Sequence, residues 1–113
     1  MSEVLCRVEE IEDPGAKGFS LAGSDRPREI FVVRTGDVVN AYVNSCPHIG
    51  TPLEFQPDRF LTQDRREILC STHGARFEIA SGHCIAGPCR GQSLRRVPVK
   101  VAEGWVRLSG PAR

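Results

Sequence analysis

The stretch NSCPHIGTPL, residues 44 to 53, places Cys46 and His48 two positions apart among proline and glycine. A second stretch, CSTHGARF, residues 70 to 77, places Cys70 and His73 three positions apart beside Gly74. Twenty-one residues separate His48 from Cys70. This C-x-H … C-x-x-H pattern constrains the fold more than any other feature of the chain. It asks for two loops, distant in sequence, held so that two thiols and two imidazoles converge. Two of the three histidines take part. Pro47 stiffens the first pair. Gly50 and Gly74 permit dihedrals closed to other residues and let backbone N–H groups approach an inorganic ligand. Leu53 and Phe77 can shield such a site from water.

The scaffold that would hold these loops reads as β structure. EIFVVRTGDVVNAYVN predicts a hairpin turning at Thr35-Gly36-Asp37. REILC predicts a short strand entering the second loop, and ARFEIASGHCIAG a hairpin turning at Ser81-Gly82. LRRVPVKVAEGWVRL alternates and turns at Glu103-Gly104, with Trp105, Val106 and Leu108 on the return strand. Pro98 places its strand at an edge or a bulge. EDPGAKGFSL and GSDRPRE read as turns near the start, and helical periodicity is absent. The expected fold is an all-β, small antiparallel domain, with both Cys/His stretches at hairpin tips.

With 113 residues, 40% of them apolar, the chain is sized for one compact domain, expected to span 1–113. The formal net charge of +1 argues against nucleic acid or a charged membrane as an obligatory partner. The charge is unevenly spread: Glu3, Glu9, Glu10, Glu12 and Asp13 crowd the start, and six arginines and lysines follow residue 86. Solvated surface explains that asymmetry. No apolar run approaches a membrane span, and MSEVLCRVEE lacks the pattern of a signal peptide. A cytoplasmic protein with reduced thiols is expected. Five cysteines, Cys6, Cys46, Cys70, Cys84 and Cys89, make a poor disulfide framework. Cys6, Cys84 and Cys89 read as small buried hydrophobes. His83 reads as solvent-exposed.

Three readings of the paired loops compete. One is coincidence, with buried cysteines and two incidental histidines. The second is a structural zinc site, although zinc sites usually set cysteines close to cysteines and histidines close to histidines. The third is an iron–sulfur centre in which two histidines replace two cysteines on one iron.

CPHIGTPL and CSTHGARF, followed by AGPCRGQSLRRVPVKV and GWVRL, resemble a Rieske-type [2Fe-2S] ferredoxin, from LCRVEEI to the last strand. The resemblance implies a cluster-binding part over about residues 44–91, a subdomain of two hairpin loops. It implies Cys46 and Cys70 on the inner iron and His48 and His73, through their rings, on the outer iron. Two neutral imidazoles in place of two thiolates make the cluster less negative and raise its potential above that of an all-cysteine ferredoxin. GPCRG, residues 87 to 91, resembles the proline loop that covers the cluster from a third side; a plain turn before the last hairpin is the alternative. Arg76 and Arg90 flank the implied cluster and could meet an acidic patch on a partner.

The departures from the family refine this reading. High-potential Rieske proteins carry a disulfide between the loops; the matching positions here are Thr51 and Thr72. They place serine and tyrosine hydroxyls on the cluster sulfurs; the matching positions here are Ala75 and Phe77. Losing those hydrogen bonds lowers the potential, toward the lower part of the roughly −150 to +300 mV Rieske range. The spacing between the halves is several residues longer than usual, with the extra length in EFQPDRFLTQDRREI, which reads as an insertion in a surface connection. No nucleophile–base pair stands out. The implied role is a soluble one-electron carrier that is not itself an enzyme. It would take electrons from a flavin-dependent reductase and pass them to an oxygenase or another redox enzyme. The small subunit of a larger reductase, such as a nitrite reductase, and a zinc-stabilised interaction module are the alternatives.

Overall fold

The structure, a computed structural model, describes residues 4–21, 28–45, 53, 60–70, 74–87 and 91–109. Ten strands form three antiparallel sheets: β1 (Val4–Arg7), β2 (Gly15–Leu21), β3 (Arg28–Thr35), β4 (Val38–Val43), β5 (Glu67–Leu69), β6 (Arg76–Glu78), β7 (Cys84–Ala86), β8 (Arg96–Val97), β9 (Val99–Ala102) and β10 (Trp105–Leu108). The orders are β1-β10-β9, β2-β3-β4-β8 and β5-β6-β7. The helical content among the described residues is a single 3₁₀ turn, Val8–Glu10. The expected all-β antiparallel architecture is the one observed.

The middle sheet is a wall between two apolar clusters. In β3 the run Ile30-Phe31-Val32-Val33 is fully buried. Successive side chains of a strand point to opposite faces. Ile30 and Val32 therefore join Cys6, Ile11, Ala41, Val97 and Val106 on one side. Phe31 and Val33 join Tyr42, Phe60, Ile68, Cys70 and Phe77 on the other. The first cluster lies under the β1-β10-β9 sheet and the second under β5-β6-β7. A strand covered on both faces can be apolar at every position, which is why IFVV shows no alternation while VRL in β10 does.

The hairpin between β3 and β4 turns at Gly36-Asp37, with Thr35 opposite Val38. Gly36 takes φ +64°, the left-handed region in which glycine carries no steric cost. Pro98 sits between β8 and β9, where the chain passes from the edge of the middle sheet to the edge of the β1-β10-β9 sheet. A residue without an N–H is tolerated at such an edge. Glu103-Gly104 turns β9 into β10, and Trp105 of β10 lies opposite Arg7 of β1. The Arg7 guanidinium stands 4.8 Å from the centre of the Trp105 ring.

Two expectations are corrected. EDPGAKGFSL is not only a turn: from Gly15 onward it is β2, a seven-residue edge strand paired with β3 from Gly15↔Arg34 to Leu21↔Arg28. Two glycines and a lysine have low strand propensity, but the open edge of the buried β3 supplies the partner, and tertiary pairing overrides propensity. Gly15 is also needed for close approach, since a Cβ there would meet the Glu12 carbonyl oxygen at 2.7 Å. Of GSDRPRE, residues 23–27 lie outside the described residues, and Arg28 and Glu29 open β3.

The second correction concerns the extra length between the Cys/His stretches. In its described part the tip, residues 63–66, is exposed as a surface connection would be, but the base enters the core. Leu61 bridges Ile68, Thr62 N–H donates to the Glu67 carbonyl at 2.9 Å, and Leu69 N–H donates to the Phe60 carbonyl at 2.8 Å. Residues 60–69 are thus a tight hairpin. Phe60 is fully buried, its ring stacked on Phe31 at 4.4 Å between centres and 7° between planes. The turn of this hairpin is tied back to the start of the chain, where Arg65 donates to the Glu12 carboxylate at 2.6 Å and to the Pro14 carbonyl at 2.9 Å.

Candidate metal centre

The second Cys/His stretch sits at the tip of the β5–β6 hairpin. Ile68 of β5 lies opposite Phe77 of β6, and both are fully buried. Immediately beyond β5, Cys70 N–H donates to the Ala75 carbonyl at 2.8 Å and Gly74 N–H donates to the Cys70 carbonyl at 2.9 Å. These two bonds fix both ends of the three-residue excursion that carries His73. Gly74 closes it at φ +73°, where an L side chain is strained. Cys70 is fully buried in the apolar cluster that also contains Leu53, Ala75, Phe77 and Cys84. The expected shielding by Leu53 and Phe77 is therefore in place around Cys70.

The first stretch leaves β4, whose two edges are taken by β3 and β8. It therefore connects two sheets rather than capping a hairpin between neighbours. Its exit is pinned: Val43 N–H donates to the Arg95 carbonyl and Asn44 N–H to the Glu29 carbonyl, both at 2.9 Å. Its far end is pinned as well. The Leu53 N–H donates to Asn44 Oδ1 at 2.8 Å, a bond away from solvent. Asn44 is a residue of this region that motif reading missed, because an asparagine before a cysteine looks like loop composition. The signal would have been its place at the end of a buried strand, where a polar side chain must find a partner.

A third loop meets the second. Leu94 N–H donates to the Gly82 carbonyl and Cys84 N–H to the Gln92 carbonyl, each at 2.8 Å. Residues 92–94 thus run back antiparallel beside residues 82–84; of GPCRG, only Gly87 and Gly91 are among the described residues. At Gly87, φ +98°, a Cβ would lie 2.7 Å from the Ala75 Cα. The backbone of the third loop therefore packs directly on the backbone of the second, and glycine is required there. Tyr42 holds the opposite end of this subdomain, its hydroxyl donating to the Ile79 carbonyl at 2.6 Å. Burial raises the Tyr42 pKa, so the hydroxyl stays a donor.

Of the four predicted ligands, Cys70 alone is among the described residues, fully buried in an apolar cluster. Cys46, His48 and His73 lie outside the described residues, as do Pro47, Gly50, Thr51, Thr72, Cys89 and Arg90. Among the described residues no group of three or more His, Cys, Asp or Glu side chains comes together. Cys6 and Cys84 are buried; burial raises the pKa of Cys6, as expected of an inert core cysteine. His83 is exposed, with its ring against Ser93 Oγ at 3.3 Å. Arg76 pairs with Glu67 at 3.1 Å, an exposed bond weak enough to exchange for a partner's carboxylate.

A buried cysteine just after β5 in an antiparallel β scaffold, with two further connections anchored beside it, defines a small all-β domain that gathers its loops around Cys70. The sequence matches the family model described as Rieske [2Fe-2S] domain over residues 2–103. The chain belongs to the Rieske [2Fe-2S] domain family. It is a Rieske-type iron–sulfur domain. Its fold is similar to the ferredoxin of carbazole 1,9a-dioxygenase from Nocardioides aromaticivorans IC177, with TM-score 0.76, 25% identity, and 96% of each chain covered. It is similar to the Sphingomonas yanoikuyae B1 ferredoxin, with TM-score 0.72 and 27% identity over 98% of this chain and 100% of that one. A chain in the complex of reduced oxygenase and oxidized ferredoxin in carbazole 1,9a-dioxygenase shares the fold, with TM-score 0.75 and 22% identity over 99% and 95% of the two chains. Comparison with curated protein sequences finds no match. Among the described residues no helix is long and apolar enough to cross a membrane.

Proposed function

We propose that this chain is the ferredoxin component of a multi-component oxygenase, taking single electrons from a flavin-dependent reductase and delivering them to a terminal oxygenase. The observation that carries this reading is the end-to-end likeness to a carbazole dioxygenase ferredoxin, with 96% of each chain covered. One domain over residues 1–113 and a cytoplasmic setting accord with it.

In this reading Cys46 and Cys70 hold the inner iron as thiolates, and His48 and His73 hold the outer iron through their rings. The donor chemistry suits the group. Cys70 is fully buried beside Leu53, Ala75 and Phe77, which keeps water from a thiolate–iron bond. Ala75 and Phe77 carry no hydroxyl, so neither can donate a hydrogen bond that would favour the more negative reduced state. A Rieske cluster, when bound, supplies a reversible one-electron couple. The chain then tunes that couple through its apolar walls and presents the histidine loops toward a partner, with Arg76 beside the second loop.

Stopped-flow mixing of the dithionite-reduced protein with an oxidised Rieske terminal oxygenase tests the assignment. The expected result is saturable re-oxidation of the ferredoxin matched by reduction of the oxygenase. Failure with oxygenases of several classes, together with co-purification as a fixed subunit of a larger reductase, would contradict it.

A further inference from the structure

We infer that Asn44 is a positioning residue for the cluster, a clasp that sets the geometry of the loop bearing Cys46 and His48. The inference rests on the ligand assignment proposed above and deepens it. Asn44 directly follows β4 and is itself buried. Its backbone is held by the Glu29 carbonyl of β3 at 2.9 Å, so its side chain projects from a fixed base. Its Oδ1 accepts the Leu53 N–H at 2.8 Å. That bond closes the segment containing both proposed ligands into a ring, joining the residue two before Cys46 to the residue five after His48.

The far side of the clasp matters as much. Leu53 is fully buried in the same apolar cluster as Cys70 and Ala75. The bond therefore ties the first loop to the packing unit that already holds the cysteine of the second. Two ligand loops on different sheets need a device that fixes one against the other, and among the described residues Asn44–Leu53 is the side-chain hydrogen bond that spans the first loop. A buried donor left without its acceptor also destabilises the loop it belongs to.

The test compares Asn44→Ala, Asn44→Asp and Asn40→Ala in holoprotein. Asn40, a second buried asparagine and within β4 itself, is bonded to Arg96 at 2.8 Å and controls for loss of any buried polar contact. Each protein is measured for release of iron to a chelator and for the EPR line shape of the reduced cluster. Asn44→Ala should release iron about tenfold faster than wild type, the rate equivalent of one buried hydrogen bond, with a broadened signal. Asn44→Asp keeps the acceptor oxygen and should return both readouts to near wild type. Asn40→Ala should lower thermal stability with iron release and line shape unchanged. Should Asn44→Ala fail to fold, Asn44→Ser, whose oxygen is one bond shorter, takes its place with the same expectation. Wild-type retention and line shape in Asn44→Ala, or equal losses in Asn40→Ala, would overturn the clasp alone. A wild-type protein without a Rieske signal would overturn the ligand assignment, and the clasp with it.

Discussion

Phe60→Ala should destabilise the protein by about 3–5 kcal/mol, the range for truncating a fully buried aromatic side chain. Phe60 has no solvent-exposed surface, and its ring lies flat on Phe31 at 4.4 Å. Phe31 in turn packs against Tyr42, 5.8 Å between ring centres. The substitution would therefore open a cavity between the middle sheet and the β5-β6-β7 sheet, directly behind the ligand loop. The neighbours are strands locked in ladders and cannot collapse to fill it. In a domain of this size that loss corresponds to a fall in thermal midpoint of more than about 10 °C. Thermal unfolding followed by far-UV circular dichroism, at one scan rate for both proteins, reads the difference. A fall of only a degree or two would show that residues 60–69 are peripheral to the core.

Cys70→Ser should abolish cluster binding. A serine hydroxyl does not ionise near neutral pH, so the buried position would offer iron no anionic donor. Cys84→Ser is the control. Cys84 is equally buried, in the same apolar cluster as Cys70, and its Sγ lies 3.2 Å from the Ala86 carbonyl oxygen, where a hydroxyl can also donate. It places an oxygen in the same core without touching a proposed ligand. Iron and sulfide content per chain should be near zero for Cys70→Ser and near wild type for Cys84→Ser. The reverse order would transfer the ligand role to Cys84.

The features legible in the sequence were those with a local cause. Gly36-Asp37 and Glu103-Gly104 fixed two hairpins because positive φ at a turn is written in residue type. The C-x-H and C-x-x-H pairs suggested a metal site because thiol and imidazole at such spacing have few other uses, and the match to the Rieske [2Fe-2S] domain family accords with that suggestion. Pro98 marked the sheet edge through its missing N–H.

What escaped had a non-local cause. β2 is a strand because β3 has an open edge beside it, a fact absent from Gly15-Ala16-Lys17-Gly18. The burial of Phe60 was not foreseen because it sits in a largely polar segment, although Phe60-Leu61 and Ile68-Leu69 flank a polar stretch in the manner of a hairpin. Asn44 acts through a bond to a residue nine positions on, and Gly87 through the backbone of Ala75. Each is a contact between elements, which periodicity and motif cannot express.

An EPR-monitored redox titration of the purified protein tests the central claim most directly. The expected result is a single one-electron transition. Its reduced form should show an average g value below that of all-cysteine ferredoxins, and its midpoint should fall below zero, in the lower part of the roughly −150 to +300 mV Rieske range. A colourless, EPR-silent protein carrying stoichiometric zinc after anaerobic purification would contradict the account.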